Sequence, residues 1–457
     1  MLKRFAHIHL LIGWVPLTIF GLAAIGLAAL VIAQCWKRQW KKLSRELVIA
    51  LLAAIVGFVA TWLISDVFVL FEVSLGWMVI FAVAAGFAAM GFSITTLVLN
   101  HGWKRVVAAF MIVMTIVATA LRIDMIYGEY TTIGSIFAVP TYPRLELSKV
   151  SKAGMSVERW QHLARKHNLP AHPERGAAFS VDIDNPASHF NARTADVYLP
   201  PAALSSRPPA LPVFVLLAGQ PGSPDRLFTA GGIESMMNTY ASHHNGLAPI
   251  VVSPDQNGAS THNSLCVDSP VYGNAETYLT KDVPRWITHH LPAATSPEMW
   301  AVGGFSQGGT CSVQLGARHP NIFGNMMPAD SELGPTQGSK ESMIANYFHG
   351  SEQAYEAQVP TKAIAQHAPS SQSFFAGAGG SDPASIGSMT AIGNAAHSAG
   401  MDVVLVVAQG TGHDWHAVRA SWEPALNWLG ERMGLGPMSK SLDSYANIKQ
   451  ITVGSQK

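Results

Sequence analysis

Four long apolar stretches open the chain, at residues 10–33, 47–64, 75–99 and 106–121. A helix needs about 20 apolar residues to cross the hydrocarbon core of a bilayer, so each stretch qualifies or nearly does. In lipid the backbone polar groups of such a segment have to pair within it, which leaves the helix as its fold. Residues 1–127 are therefore expected to form an all-α transmembrane domain of four helices. Asp66, Arg122 and Asp124 fall at expected helix ends, which suits an interfacial role better than an ion pathway. The first stretch lacks a small-residue cleavage site, and Gln34 before Cys35 makes a poor lipoprotein-type site. It is expected to stay as a helix.

Lys and Arg bias sets the expected orientation. The first connection, 36–45, carries Lys37, Arg38, Lys41, Lys42 and Arg45, and the third carries Lys104 and Arg105. The second holds Asp66 and Glu72 instead. Connections one and three are thus expected in the cytoplasm, and both termini outside a cell membrane crossed four times. Lys3 and Arg4 pull the other way and are outnumbered. Up to Tyr127 there are 10 Lys+Arg against 4 Asp+Glu; the remainder has 20 against 25, so the later part is mildly acidic and has no basic patch for nucleic acid.

Residues 128–176 are mostly polar and punctuated by Pro140, Pro143, Pro170 and Pro173. They read as a linker, with one short amphipathic helix at 156–167. From residue 177 to 434 the period changes. Short apolar runs at 178–183, 195–199, 212–217, 249–253, 299–303, 324–328, 373–376 and 402–407 are separated by helix-length segments. That alternation predicts an α/β domain, a mostly parallel sheet with helices on both faces. Reacting groups in such sheets collect at the carboxyl ends of the strands. Residues 435–457 read as a polar, poorly ordered tail.

The sharpest motif is Gly304-Phe305-Ser306-Gln307-Gly308, between a strand-like run and a helix-like run. A serine in G-x-S-x-G on a strand–turn–helix corner has its hydroxyl projected above the sheet, and this makes Ser306 the expected nucleophile. A serine hydroxyl needs a base. Among eighteen histidines, His413 in Gly412-His413-Asp414-Trp415 lies just past the last expected strand, with His416 as its nearest rival. Asp382 follows the penultimate strand and completes the order Ser–Asp–His, while Asp330 and Glu332 remain alternatives for the acid. The oxyanion hole is expected from the backbone N–H of Gln307 and of Gln220, in the loop Ala218-Gly219-Gln220-Pro221-Gly222.

With these pieces in place, residues from about 192 to 428 resemble the esterase D / antigen 85 family of α/β-hydrolases, which includes mycolyltransferases of actinobacteria. The matching segments are Ala192-Arg193-Thr194-Ala195-Asp196-Val197-Tyr198-Leu199-Pro200-Pro201, Leu217-Ala218-Gly219, and Glu276-Thr277-Tyr278-Leu279-Thr280-Lys281-Asp282-Val283-Pro284, with the elbow and the histidine segment in family order. The resemblance implies the α/β-hydrolase fold and maps nucleophile, acid and histidine onto Ser306, Asp382 and His413. It also implies ester hydrolysis or, alternatively, acyl transfer to a sugar or lipid hydroxyl. The four-helix N-terminal domain departs from secreted members and favours an ester of a lipid or cell-envelope component as substrate, within reach of the bilayer.

Three cysteines occur, Cys35, Cys266 and Cys311, and none has zinc-ligand spacing to another. No metal and no cofactor is expected. Cys266, in the loop after 249–253, and Cys311, one turn past Ser306, are expected on the side of the membrane where disulfides persist. They are expected to pair and pin that loop beside the site.

Overall fold

The structure is a computed structural model that describes residues 8–68, 70, 74–137 and 142–454. Lys3, Arg4, Glu72 and Pro140 lie outside them. The chain divides into two units, Met1–Val139 and Pro140–Lys457.

The first unit holds α1 (Trp14–Trp36), α2 (Trp40–Trp62, continued by a π-helical turn at Leu63–Val67), α3 (Trp77–Leu99) and α4 (Trp103–Tyr127). All four are long and apolar enough to cross a membrane, at 23, 28, 23 and 25 residues. Every one begins on a tryptophan, and α1 and the regular part of α2 also end on one. These rings are exposed, and a 23-residue helix separates its two ends by about 34 Å. Rings so spaced suit the two interfaces of a bilayer. α2 and α3 approach closely where Gly91 lies against Ala53 and the backbone at Ile49.

One expectation needs correction here. Lys41, Lys42, Arg45 and Glu46 lie inside the first two turns of α2, so the first connection is only 37–39. Lys, Arg and Glu are good helix formers, and the helix starts as soon as the chain has turned at Arg38, whose φ is 52°. Glu46 is completely buried and accepts hydrogen bonds from Gln34 Nε2 (2.6 Å) and Asn100 Nδ2 (2.9 Å). Three helix ends therefore meet on one carboxylate.

The second unit is built on a nine-stranded sheet. Its strands are β1 (Ala177–Val181), β2 (Ala195–Leu199), β3 (Val213–Leu217), β4 (Ile250–Ser253), β5 (Trp300–Phe305), β6 (Asn325–Ala329), β7 (Ser373–Gly379), β8 (Asp402–Ala408) and β9 (Ile448–Ile451). They lie in the order β1-β2-β4-β3-β5-β6-β7-β8-β9. The six from β4 to β8 run parallel, and the edges are antiparallel. Between and around them pack α5 (Val157–Arg165), α6 (Ile233–His243), α7 (Gln307–Arg318), α8 (Pro383–Ser398) and α9 (Trp415–Arg432). This is the α/β-hydrolase architecture, with β2 to β8 buried along most of their length.

Two segments expected to be peripheral belong to this core. α5, capped by the Ser156 side chain, places Trp160 fully inside, and the Trp160 Nε1–H donates to Asn245 O at 3.0 Å. The stretch from 142 to 176 is thus part of the second unit rather than a linker. The tail likewise ends in β9, which pairs with β8 and covers a row of backbone groups that would otherwise stand open at the sheet edge. Buried Tyr445 accepts from Asn427 Nδ2 at 3.0 Å and holds that return.

Register decides where chemistry can gather. Leu217 faces Gly304, Phe305 faces Ala329, and Gly379 faces Ala408. The residues that follow these pairs leave the sheet along a single edge.

Candidate active site

Ser306 stands between β5 and α7 at φ 57°, ψ −121°, a conformation that non-glycine residues rarely adopt. Its N–H donates to Ala329 O at 2.9 Å, which ties the turn to the neighbouring strand. Tightness dictates the flanking glycines: a Cβ on Gly304 would collide with the Gly308 carbonyl, and one on Gly308 with the carbonyls of Leu217 and Ala218.

The Ser306 hydroxyl lies 2.8 Å from His413 Nε2, and His413 Nδ1 lies 2.9 Å from Asp382 Oδ2. Asp382 is also the N-cap of α8, accepting from Ser385 N (3.1 Å) and Ser385 Oγ (2.6 Å). The carboxylate is therefore oriented by two donors of its own helix in addition to the imidazole. The His413 ring packs against Phe305, which in turn packs on Trp415. Burial raises the carboxyl of Asp382, but the hydrogen bonds from His413 and Ser385 outweigh it and hold its pKa below the usual value. For His413, burial disfavours the charged ring, while the Asp382 hydrogen bond and the charges of Asp330, Asp382 and Glu332 favour it. The net shift is upward.

The alternatives for the acid and base are placed differently. Asp330 is completely buried at φ 47°, and its Oδ1 accepts from Gly379 N at 2.7 Å. Its carboxyl is within 4.8 Å of the polar atoms of Asp382 and His413 but makes no hydrogen bond to the ring, and burial pushes its pKa up to about 7. Glu332 accepts from Thr336 Oγ1. Asp414 caps α9 through Ala417 N (2.9 Å), and His416 pairs with Arg419 at 2.8 Å, one turn along that helix.

Gln307 opens α7, so its backbone N–H is one of the first-turn donors that lack an intrahelical acceptor. The loop after β3 runs alongside, with Gly219 against Ser306 and the Gln220 side chain donating to Thr261 O at 3.3 Å. Cys266 and Cys311 are joined in a disulfide that links the loop after β4 to α7, and Cys35 is a free, half-buried thiol.

Sequence reasoning passed over several residues here. Ser385 was within reach of it, because Asp382-Pro383-Ala384-Ser385 is a helix-start pattern. Asp255, Gln256, Asn257 and Asn263 carried no such signal, yet all four are buried and gather around the Gln307 side chain and the Arg193 guanidinium.

A family model described as Esterase matches residues 189–427. An uncharacterized protein of Corynebacterium glutamicum is 30% identical over 362 residues, which span 77% of this chain and 82% of that protein. Similar solved structures include a ferulic acid esterase (17% identity, TM-score 0.47, 57% of this chain and 99% of the other). An S-formylglutathione hydrolase from Agrobacterium tumefaciens is another (19% identity, TM-score 0.45, 57% and 95%).

Proposed function

Because this chain belongs to the Esterase family and is a serine-type hydrolase, we propose that it cleaves a carboxylic ester of a lipid or cell-envelope component at the outer face of a membrane. The observation that carries the chemistry is the continuous chain from Ser306 Oγ through His413 to Asp382, with links of 2.8 and 2.9 Å. His413 takes the Ser306 proton at Nε2 as Oγ attacks the ester carbonyl carbon. Asp382 stabilises the imidazolium through Nδ1–H. Backbone N–H groups of Gln307 and Gln220 receive the oxyanion. The intermediate collapses, the alcohol leaves with the Nε2 proton, and the acyl group stays on Oγ. Water then attacks the acyl-enzyme by the same route and releases the acid.

Membrane location is supported by the four apolar helices and their terminal tryptophans. The basic residues around connections one and three favour a cytoplasmic side for those ends, and four crossings would then leave the catalytic unit outside. The Cys266–Cys311 disulfide suits an oxidising compartment. A catalytic unit on the same chain as a bilayer anchor meets membrane esters at a high effective concentration, which favours them over soluble ones.

The test has two arms. A fluorophosphonate probe is expected to label the wild type and spare Ser306→Ala; equal labelling of both would sink the nucleophile. Native membrane lipids incubated with the full-length enzyme are expected to lose an ester species by mass spectrometry. With an added acceptor alcohol, a transesterified product in place of free acid would recast the enzyme as an acyltransferase.

A further inference from the structure

Three consecutive residues after β4, Asp255, Gln256 and Asn257, are buried and reach the two segments that flank Ser306 directly, through Arg193, or through the Gln307 side chain. Asp255 grips Arg193 (Nη2 at 2.7 Å, Nε at 2.9 Å), and Arg193 Nη1 donates to Gly222 O at 3.1 Å. Gln256 Nε2 donates to Ala218 O at 2.6 Å and to Gln307 Oε1 at 3.2 Å. The Gln307 Nε2 donates in turn to Asn257 Oδ1 (3.2 Å) and Asn263 Oδ1 (3.1 Å). The loop 218–222 is thereby tied at both ends, and the Gln307 side chain is held on both its oxygen and its nitrogen.

Among the described residues, Gln256 alone donates to both segments. An amide NH2 has two protons, so it can serve one to each. Register pairs β3 with β5 only as far as Leu217 and Gly304, and the Gln256 amide links the continuations beyond that point. From this geometry we infer that Gln256 is a positioning residue that fixes the spacing between the loop bearing Gln220 and the start of α7 at Gln307. The inference rests on the reading of Ser306 as nucleophile and of those two residues as the oxyanion donors. Such donors work only when they sit about 2.7–3.1 Å from the developing oxyanion, and a misplacement of about 1 Å can cost about 100-fold in rate. A buried amide bonded at each side is a strut of fixed length. Glutamate would keep its size but lose both donated protons, and methionine would keep its shape without a donor.

The experiment uses the full-length protein in detergent with a short-chain p-nitrophenyl ester and an alkyl trifluoromethyl ketone, whose adduct with Ser306 places an oxyanion in the hole. Gln256→Met is expected to lower kcat about 10- to 100-fold with KM within about twofold. The inhibition constant for the ketone is expected to rise by the same factor. Gln307→Met cuts the link from the other side and is expected to behave alike, with the double variant no worse than the poorer single. Unchanged kcat in Gln256→Met, additive losses in the double variant, or a lost rate with an unchanged ketone constant would each overturn the strut. Should Gln256→Met fail to fold, Gln256→Glu and Gln307→Met carry the same comparison. A wild type that reacts with neither the ketone nor a fluorophosphonate at Ser306 overturns the nucleophile reading and this inference together. A reactive wild type with an unaffected Gln256 variant overturns this inference alone.

Discussion

Glu46 in the helical unit and Asp382 in the catalytic unit are both carboxyls drawn away from bulk water, and they are met by different donors. Glu46 accepts from the amides of Gln34 and Asn100, groups that do not titrate. Its bonds join α1, α2 and the end of α3 and move no proton. Asp382 accepts from Ser385 and from the imidazole of His413, and a ring that titrates near neutrality turns the same kind of bond into the support of a base. Asp330 shows a third outcome: one backbone donor, complete burial and a pKa raised to about 7. The partner, more than the burial, decides whether a carboxyl is glue or chemistry.

The largest effect is expected from Ser306→Ala, which removes the atom on which the catalytic side of that contrast depends. Hydrolysis should fall about a millionfold in kcat with an unchanged circular dichroism spectrum. A variant that keeps a tenth of the wild-type rate would remove Ser306 from the mechanism.

Asp382→Asn comes next, with an expected loss of about 10,000-fold. It also has a signature in pH. His413 must be neutral to accept the serine proton, so the wild-type rate rises with pH through its pKa. Because that pKa is held above the ordinary imidazole value, the acid limb of kcat/KM should lie above pH ~6.5. Loss of the carboxylate lowers the pKa, and the residual activity should show its limb at lower pH. Near-normal activity in Asp382→Asn, with collapse in Asp330→Asn, would hand the acid's role to Asp330.

Breaking the disulfide probes structure on the catalytic side. Cys266→Ser opens a loop closed across a separation of 45 residues and should lower stability by about 2–4 kcal/mol, read as a fall in Tm. An unchanged Tm would mean that the bridge constrains nothing.

Glu46→Leu should have the smallest consequence, about 1–2 kcal/mol in the detergent stability of the helical unit, with kcat towards a soluble ester unchanged. A matching loss of kcat would break the division between the two kinds of carboxyl.

Much of the site was legible because its parts are short-range. The elbow requires two glycines around a serine, and the acid and base had to fall after the last strands of an alternating pattern. The strand order favours Asp382 for the acid and leaves Asp330 as an alternative. Both follow strands, and both sit beside His413, but only Asp382 reaches Nδ1, since the turn into α8 aims it outward while Asp330 is drawn inward to Gly379 N. The stretch 142–176 and the tail read as polar linker and tail in sequence for a related reason. A single buried Trp160 and a four-residue edge strand are too little pattern to stand out from polar loops, yet each fills a defined gap.

The sequence by itself determined the two-part plan: helices where apolar runs approach or exceed the thickness of a bilayer, and a wound sheet where short apolar runs alternate with helix-length segments. It also determined Ser306, because a tight turn writes its steric demands into adjacent residues. Only the tertiary structure decided which carboxyl holds His413, and which buried amides brace the loop opposite Gln307. Those choices depend on atoms from distant segments arriving within about 3 Å of each other, a distance that hydrogen bonding demands and that no local pattern encodes.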